Sequence, residues 1–134
     1  MEPRKTLFID IDGCILKHHN DTVDKIYKAT HEVLPGVLEK FHEWESESVY
    51  IVLTTARKES LRNHTIKQLE DIGITYDVLL MGCGNGPRYV VNDYNPDKME
   101  MKAFAINVER NRGLSLVNLD NKYGVNVKIE YGVK

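Results

Sequence analysis

The stretch TLFIDIDG, from Thr6 to Gly13, decides the fold of this chain of 134 residues. Its segment Thr6 to Ile11 is short, mostly apolar and rich in branched and aromatic side chains, which predicts a strand buried on both faces. Asp10 and Asp12 fall at the carboxyl end of this strand, and Gly13 lets the backbone turn sharply behind them. The stretch therefore predicts a strand of a parallel sheet with two acidic side chains at its end.

Helical and strand-like segments alternate along the sequence that follows. The predicted helices are Thr22 to Val33, a second helix that begins at Pro35, and Lys58 to Ile72, which ends at Gly73. The second helix is predicted to bury a stripe of Val37, Leu38, Phe41 and Trp44, and the third has a helical repeat of Leu61, Thr65, Leu69 and Ile72. The further predicted strands are Val49 to Leu53, Tyr76 to Leu80, Tyr89 to Val91 and Ala103 to Val108. This alternation predicts βαβ units and hence an α/β fold, a Rossmann-like domain whose mostly parallel sheet is flanked by helices.

The C-terminal segment has a different pattern. Apolar residues from Val125 to Val133 alternate with polar residues or glycine, and this period of two predicts an extra, half-buried C-terminal β-strand or hairpin. The segment Leu114 to Leu119 is its candidate partner. No repeat or linker interrupts the sequence, so we expect residues 1–134 to form a single domain.

Composition limits the kinds of partner and compartment. The 18 basic and 20 acidic residues are mixed and give a net charge of -2, which disfavours nucleic acid as an obligatory partner. Cys14 and Cys83 form no metal-spaced pair, and a reducing, cytoplasmic setting fits them. No apolar run approaches the roughly 20 residues that cross a bilayer, so we expect no membrane partner.

Polar residues follow three of the predicted strands. Asp10 and Asp12 leave the same face of the first strand, and two carboxylates this close repel each other unless a cation lies between them. Thr55, Ala56 and Arg57 follow the second strand and offer a hydroxyl and backbone N–H groups to an anion. Thr54, one residue earlier, is the competing choice for the hydroxyl.

The third group follows the run from Tyr89 to Val91. Asn92 and Asp93 come directly after this run, and Asp97 lies four residues beyond Asp93. More carboxylates are therefore expected at the same edge of the sheet. Arg88, just upstream, is a candidate fixed positive charge for a phosphate.

Together these segments resemble the four ordered motifs of the haloacid dehalogenase (HAD) superfamily. The motifs correspond to DIDG from Asp10, TTAR from Thr54, Arg88, and NDYNPD from Asn92, within a match from Thr6 to Val108. The resemblance implies that Asp10 is the nucleophile and that Asp12 is the general acid and base.

The resemblance also implies the remaining parts of the site. Thr55 would hold a phosphoryl oxygen, with Gly13 in the substrate-binding loop, and Arg88 would offset developing charge. Mg²⁺ would be bound by the Asp10 carboxylate, a backbone carbonyl of Ile11 or Asp12, and Asp93. Asp97 is a further candidate metal ligand. The acid at position 12 is typical of the phosphatases of the family and not of its dehalogenases.

The spacings between the motifs are too short for a large cap domain. In this respect the chain resembles the capless branch of the family. An open site of this kind is consistent with a homo-oligomer. We expect a small phosphorylated metabolite, such as a sugar phosphate or a nucleotide, as the substrate. The alternatives are a polynucleotide 3′-phosphatase-like enzyme and a non-catalytic HAD-like binding protein. A phosphoacceptor receiver module ranks lower, because no aspartate follows the strand Tyr76 to Leu80.

Overall fold

The computed structural model describes residues 3–18 and 32–120 and the backbone of 127–128. Its centre is a three-stranded parallel sheet in the order β1–β2–β3. The strands are β1 (Thr6–Asp10), β2 (Tyr50–Thr54) and β3 (Val78–Leu80). Asp10 pairs with Thr54, and Thr54 pairs with the last residue of β3, so the three carboxyl ends meet at one edge of the sheet. The predicted α/β fold with a parallel sheet is confirmed.

Helix α1 (Val37–Ser46) connects β1 to β2 and begins two residues after the predicted start at Pro35. Val37, Phe41 and Trp44 recur at i, i+4 and i+7, so all three lie on one face, and all three are buried. The rings of Phe41 and Trp44 meet edge to face, with centroids 5.4 Å apart. The predicted buried stripe of this helix is thus present, except that Leu38 is exposed.

Helix α2 (Arg62–Ile72) connects β2 to β3 and follows a single 3₁₀ turn, Glu59–Leu61. Gly73 ends the helix in a left-handed conformation (φ 83°), where its N–H donates to the carbonyls of the last turn. The helix therefore stops where the sequence predicted. Its buried face includes Gln68, which the apolar pattern did not mark.

One face of β1 is less covered than predicted. Phe8 is 56% exposed, and Thr6 on the same face is exposed as well, whereas Ile9 on the other face is buried. Within the described chain β1 is an edge strand, and the central strand β2 is the one that is buried almost throughout. The prediction that β1 is buried on both faces was wrong, because the described part of the chain leaves the face with Thr6 and Phe8 largely open to solvent.

The predicted strand Tyr89–Val91 does not form. Val91 is 96% exposed, and the only regular structure nearby is an antiparallel hairpin of β4 (Tyr94–Asn95) and β5 (Glu100–Met101), as far as the described residues go. A three-residue apolar run predicts a strand only if a neighbouring surface buries it. Here no such burial occurs, and the run is an exposed connection between the Gly-rich loop (residues 82–86) and the hairpin.

The predicted strand Ala103–Val108 is reduced to β6 (Ile106–Asn107), which pairs in parallel with β7 (Val127–Lys128). The candidate pairing of the C-terminal strand with Leu114–Leu119 was therefore wrong. That segment forms turns that bury Leu114 and Val117 in the core. The remaining residues of the predicted C-terminal strand lie outside the described part of the chain.

The segment between β1 and α1 is described only at its ends. The predicted helix from Thr22 lies outside the described residues as far as position 31. Its last predicted residue, Val33, is not helical and instead makes a single antiparallel bridge with Leu16. Among the residues described, no helix is long and apolar enough to cross a membrane.

Candidate active site

The loop after β1 is folded tightly around the Ile11 carbonyl. This oxygen accepts hydrogen bonds from the N–H groups of Ile15 (2.9 Å) and Leu16 (3.1 Å). Gly13 has φ 96°, a value that side chains rarely tolerate, and a Cβ there would lie 3.3 Å from Cγ of Arg110. The sharp turn predicted for Gly13 is confirmed, and it follows directly after Asp12 at the carboxyl end of β1.

Asp10 lies at the carboxyl edge of the sheet with its side chain 44% exposed. Burial raises the pKa of Asp10 above its ordinary value, and the negative charge of Asp12 raises it further. The Arg88 guanidinium, whose Nη2 is 4.0 Å from Oδ1 of Asp10, lowers this pKa in part. Asp10 is thus a carboxyl group that is reachable from solvent and has the Arg88 guanidinium as a cationic neighbour.

Arg88 reaches Asp10 because the Gly-rich loop after β3 folds back over the sheet edge. Its Nη1 donates to the carbonyls of Gly84 (3.0 Å) and Gly86 (2.7 Å). The Cys83 N–H donates to the Thr55 carbonyl at 2.9 Å, which ties the loop to the end of β2. The loop thereby brings the predicted basic residue next to the predicted nucleophile.

Asp12 is held by Arg57, from the loop after β2. Arg57 Nε donates to Oδ2 of Asp12 at 2.9 Å, and Nη2 donates to Oδ1 at 2.8 Å. The Arg57 side chain is 5% exposed and that of Asp12 is 25% exposed. Such a two-point contact fixes both the position and the plane of the carboxylate.

The other end of the guanidinium is held by helix α2. Nη1 of Arg57 donates to Thr65 Oγ1 at 3.0 Å and to Gln68 Oε1 at 2.5 Å. Both acceptors are buried, which explains why the buried face of α2 is partly polar. From the sequence, Arg57 was identified within TTAR but no partner for it was predicted. Thr65 and Gln68, one helical turn apart on an otherwise apolar stripe, were the available signal.

The two threonines of TTAR lie differently. Thr55 is fully buried, and its Oγ1 accepts a hydrogen bond from the Arg57 N–H at 3.0 Å. Thr54 is paired with Asp10 in the sheet, so their side chains point to the same face. Thr54 is therefore beside Asp10, and Thr55 supports the loop that carries Arg57.

A turn near the C-terminal end of the described chain completes the surroundings of Gly13. The Asn111 N–H donates to the Gly13 carbonyl at 2.9 Å, and Oδ1 of Asn111 accepts the His18 N–H at 2.7 Å. Asn111 has a positive φ of 65°, which asparagine tolerates better than most residues. This contact was not predicted from the sequence, in which the turn-forming residues Asn111 and Gly113 were the available signal.

Cys14, directly after Gly13, is a free thiol at the edge of the site. Burial, together with the charges of Asp10 and Asp12, raises the pKa of Cys14 to about 12. The thiol is therefore neutral at physiological pH and packs against the core as a small apolar side chain.

Asp93 and Asp97 are both exposed, in the segment that includes the β4–β5 hairpin. Throughout the described residues, no three or more acidic, histidine or cysteine side chains are grouped closely enough to hold a metal ion. The structure thus brings Asp10 and Asp12 together without the two later aspartates, whose role as ligands stays a prediction. The Asp10 carboxylate and the carbonyls of its loop are hard oxygen donors, and Mg²⁺ is commonly bound by one or two carboxylates, waters and a substrate phosphate.

The chain shows limited similarity to known proteins. No family model matches the chain, and no curated protein matches it. One similar solved structure is the D,D-heptose 1.7-bisphosphate phosphatase from B. bronchiseptica, complexed with magnesium and phosphate. It has a TM-score of 0.45 and 22% sequence identity, over 62% of this chain and 51% of that one. This chain thus spans about half the length of that enzyme, whose activity is not transferred to it.

Proposed function

We propose that this protein is a Mg²⁺-dependent phosphomonoester hydrolase of the HAD type, with Asp10 as the nucleophile. The observation that supports it most is the pair of acids at the carboxyl edge of the sheet, each with its own arginine. Asp10 is partly exposed beside Arg88, and Asp12 is fixed by Arg57. A free carboxylate next to a positioned one suits nucleophilic attack followed by proton transfer.

In the first step, an Asp10 carboxylate oxygen attacks phosphorus, and the bond from phosphorus to the ester oxygen breaks. Asp12 gives its proton to the departing oxygen, so that an alcohol and an aspartyl-phosphate result. Arg88 lies close enough to Asp10 to offset the negative charge that gathers on the phosphoryl oxygens.

In the second step, a water molecule attacks phosphorus, and Asp12 takes up a proton from it. The bond between phosphorus and Asp10 breaks, which releases inorganic phosphate and restores both acids. Mg²⁺, held by the Asp10 carboxylate and a carbonyl of the loop after β1, would supply positive charge against the approaching phosphate. Asp93 and Asp97 are the further ligands that we propose for it.

We propose a small phosphorylated metabolite, such as a sugar phosphate or a nucleotide, as the substrate. The net charge of -2 provides no broad positive surface for a polynucleotide. A panel of sugar phosphates, nucleotides and a 3′-phosphorylated oligonucleotide tests this choice, and the highest kcat/KM is expected for one of the small molecules. Preference for the oligonucleotide would contradict it.

The activity itself is tested by release of phosphate from an aryl phosphate, with Mg²⁺ and with EDTA. The wild-type protein is expected to turn over with Mg²⁺ only, and Asp10→Asn is expected to lose at least about 1,000-fold in kcat, because it removes the attacking oxygen.

Glu43→Gln is the matched control, since Glu43 is an exposed carboxylate on α1 that pairs with Lys40. It is expected to keep wild-type activity. Full activity in Asp10→Asn, or equal activity with Mg²⁺ and with EDTA, would rule out the proposed function.

A further inference from the structure

We propose that Arg57 is a positioning residue that aims the Asp12 carboxylate at the leaving group, and that Thr65 and Gln68 of α2 fix its orientation. This inference rests on the proposed function, because it assigns a partner to the general acid of that reaction. The contact joins the ends of β1 and β2 through side chains 45 residues apart in sequence.

The hydrogen bonds of Arg57 support positioning of Asp12 over direct binding of phosphate. A guanidinium has five N–H groups. Two of them donate to the two oxygens of Asp12 and two more donate to Thr65 and Gln68. With four of five donors directed at protein and the side chain 5% exposed, little of the guanidinium is left for a substrate.

The same contact leaves Asp12 able to react. Each carboxylate oxygen has two lone pairs, and Arg57 takes one position on each oxygen. The Asp12 side chain is still 25% exposed, so part of it remains open to solvent. Arg57 thus restricts the orientation of Asp12 without covering it.

The hydrogen bonds to Thr65 and Gln68 of α2 explain why the contact between Arg57 and Asp12 has a single geometry. An arginine has many rotamers, and two acceptors on a helix select one of them. Both acceptors and the guanidinium are buried, where the absence of water makes each hydrogen bond more effective. The helix therefore transmits its fixed position to Asp12 through Arg57.

The test uses the dependence of the reaction on the leaving group. A departing alkyl alkoxide needs a proton, whereas a departing dinitrophenolate does not. In Arg57→Lys the positive charge remains but the two-point contact is lost. We expect kcat/KM to fall roughly 100-fold for an alkyl phosphate and less than about 5-fold for 2,4-dinitrophenyl phosphate.

Three further variants provide reference values for the loss of activity on the alkyl ester. Asp12→Asn, which lacks the acid, is expected to show the same selective loss to a greater extent. Thr65→Val and Gln68→Leu each remove one acceptor with little change of shape, and losses of roughly 3- to 10-fold on the alkyl ester alone are expected. These two variants keep the test valid if Arg57→Lys does not fold. Arg62→Lys is the control, because Arg62 lies on the same helix but pairs with Glu59 and with the Leu79 carbonyl instead of Asp12.

The outcomes separate this inference from the proposed function. A wild-type protein without Mg²⁺-dependent activity overturns the proposed function and the inference with it. An active wild-type protein whose Arg57→Lys, Thr65→Val and Gln68→Leu variants lose activity equally on both esters, or lose none, overturns the inference alone. A selective loss on the alkyl ester supports it.

Discussion

At the scale of single residues, Asp10 lies where its surroundings disfavour the charged form of its carboxyl group. Burial and the neighbouring Asp12 raise the pKa of Asp10, and Arg88 opposes them only in part. An ionised group kept in such a place is more often functional than structural, because stability alone would favour a neutral side chain. The same surroundings therefore make a prediction about stability that does not depend on turnover.

Asp10→Asn should raise the free energy of unfolding at about pH 7. The folded-state pKa of Asp10 lies above its ordinary value of 3.8, so the folded protein binds this proton more tightly than the unfolded chain. The wild-type protein consequently loses stability as the pH rises from that ordinary value through the raised pKa, and an asparagine does not.

Urea unfolding at several pH values, with EDTA present to exclude cations, measures this difference. We expect the stability gained by Asp10→Asn to be largest at neutral pH and to shrink as the pH falls below the ordinary pKa. Equal stabilities at neutral pH would be at odds with the proposed electrostatics of the site.

The two threonines at the end of β2 should separate activity from stability. Thr54→Val is expected to lower kcat/KM about 10-fold or more with little change in the free energy of unfolding, because its hydroxyl lies on the side of Asp10. Thr55→Val is expected to lower the free energy of unfolding by about 1–3 kcal/mol, since it removes the buried acceptor of the Arg57 N–H. The reverse assignment of the two effects would show that Thr55 is the residue that binds phosphate.

At the scale of the elements, α1 shows what a periodic pattern can predict. Val37, Phe41 and Trp44 are buried at the predicted spacing, because a helix packed on a sheet needs one apolar face. The boundary differed by two residues, since Pro35 and Gly36 form a turn that packs against Leu114 and Ser115. Periodicity indicated the face of the helix, and a long-range contact determined its start.

Trp44→Ala should destabilise the protein by about 3–5 kcal/mol, since Trp44 is 2% exposed and its loss leaves a cavity beside Phe41. Leu38→Ala, on the exposed side of the same helix, is the matched control and should change the free energy of unfolding by less than about 0.5 kcal/mol. Chemical unfolding measures both, and equal effects would contradict the described packing of α1.

The run Tyr89–Val91 shows where pattern alone fails. Its side chains are suited to a strand, yet strand formation depends on a neighbouring strand or layer that buries them. In the structure these residues are exposed, and the Gly-rich loop before them is held by contacts of Arg88 and Cys83. Nothing in a three-residue run states whether such a burying surface exists.

At the scale of the whole molecule, the sequence predicted the α/β class, the parallel order of connected elements and the meeting of Asp10 with the end of β2. Those features follow from local patterns and from the geometry of parallel strands. The contacts of Arg57 with Asp12 and of Gly13 with Asn111 could not be predicted, because they join segments that lie 45 and 98 residues apart. Hydrogen bonds over such distances depend on the folded arrangement as a whole.

Two expectations about the whole molecule stay predictions. Asp93 and Asp97, the predicted metal ligands, lie outside the group that the structure forms around Asp10 and Asp12. A homo-oligomer is the other expectation. Tyr89, Val91 and Met99 present exposed apolar surface, which in soluble proteins often marks contacts between molecules.

The most direct test of the central claim is to trap the aspartyl-phosphate on Asp10. In Asp12→Asn, an activated aryl phosphate can still transfer its phosphoryl group, since its leaving group needs no proton, but the second step lacks its base. The covalent intermediate should therefore accumulate.

Borohydride reduction of such an acyl phosphate converts the aspartate to homoserine, which peptide mass spectrometry locates. We predict homoserine at position 10 when Mg²⁺ and substrate are both present, and none when either is withheld. Turnover by the wild-type protein with no modified residue, or with the modification at another aspartate, would contradict the account.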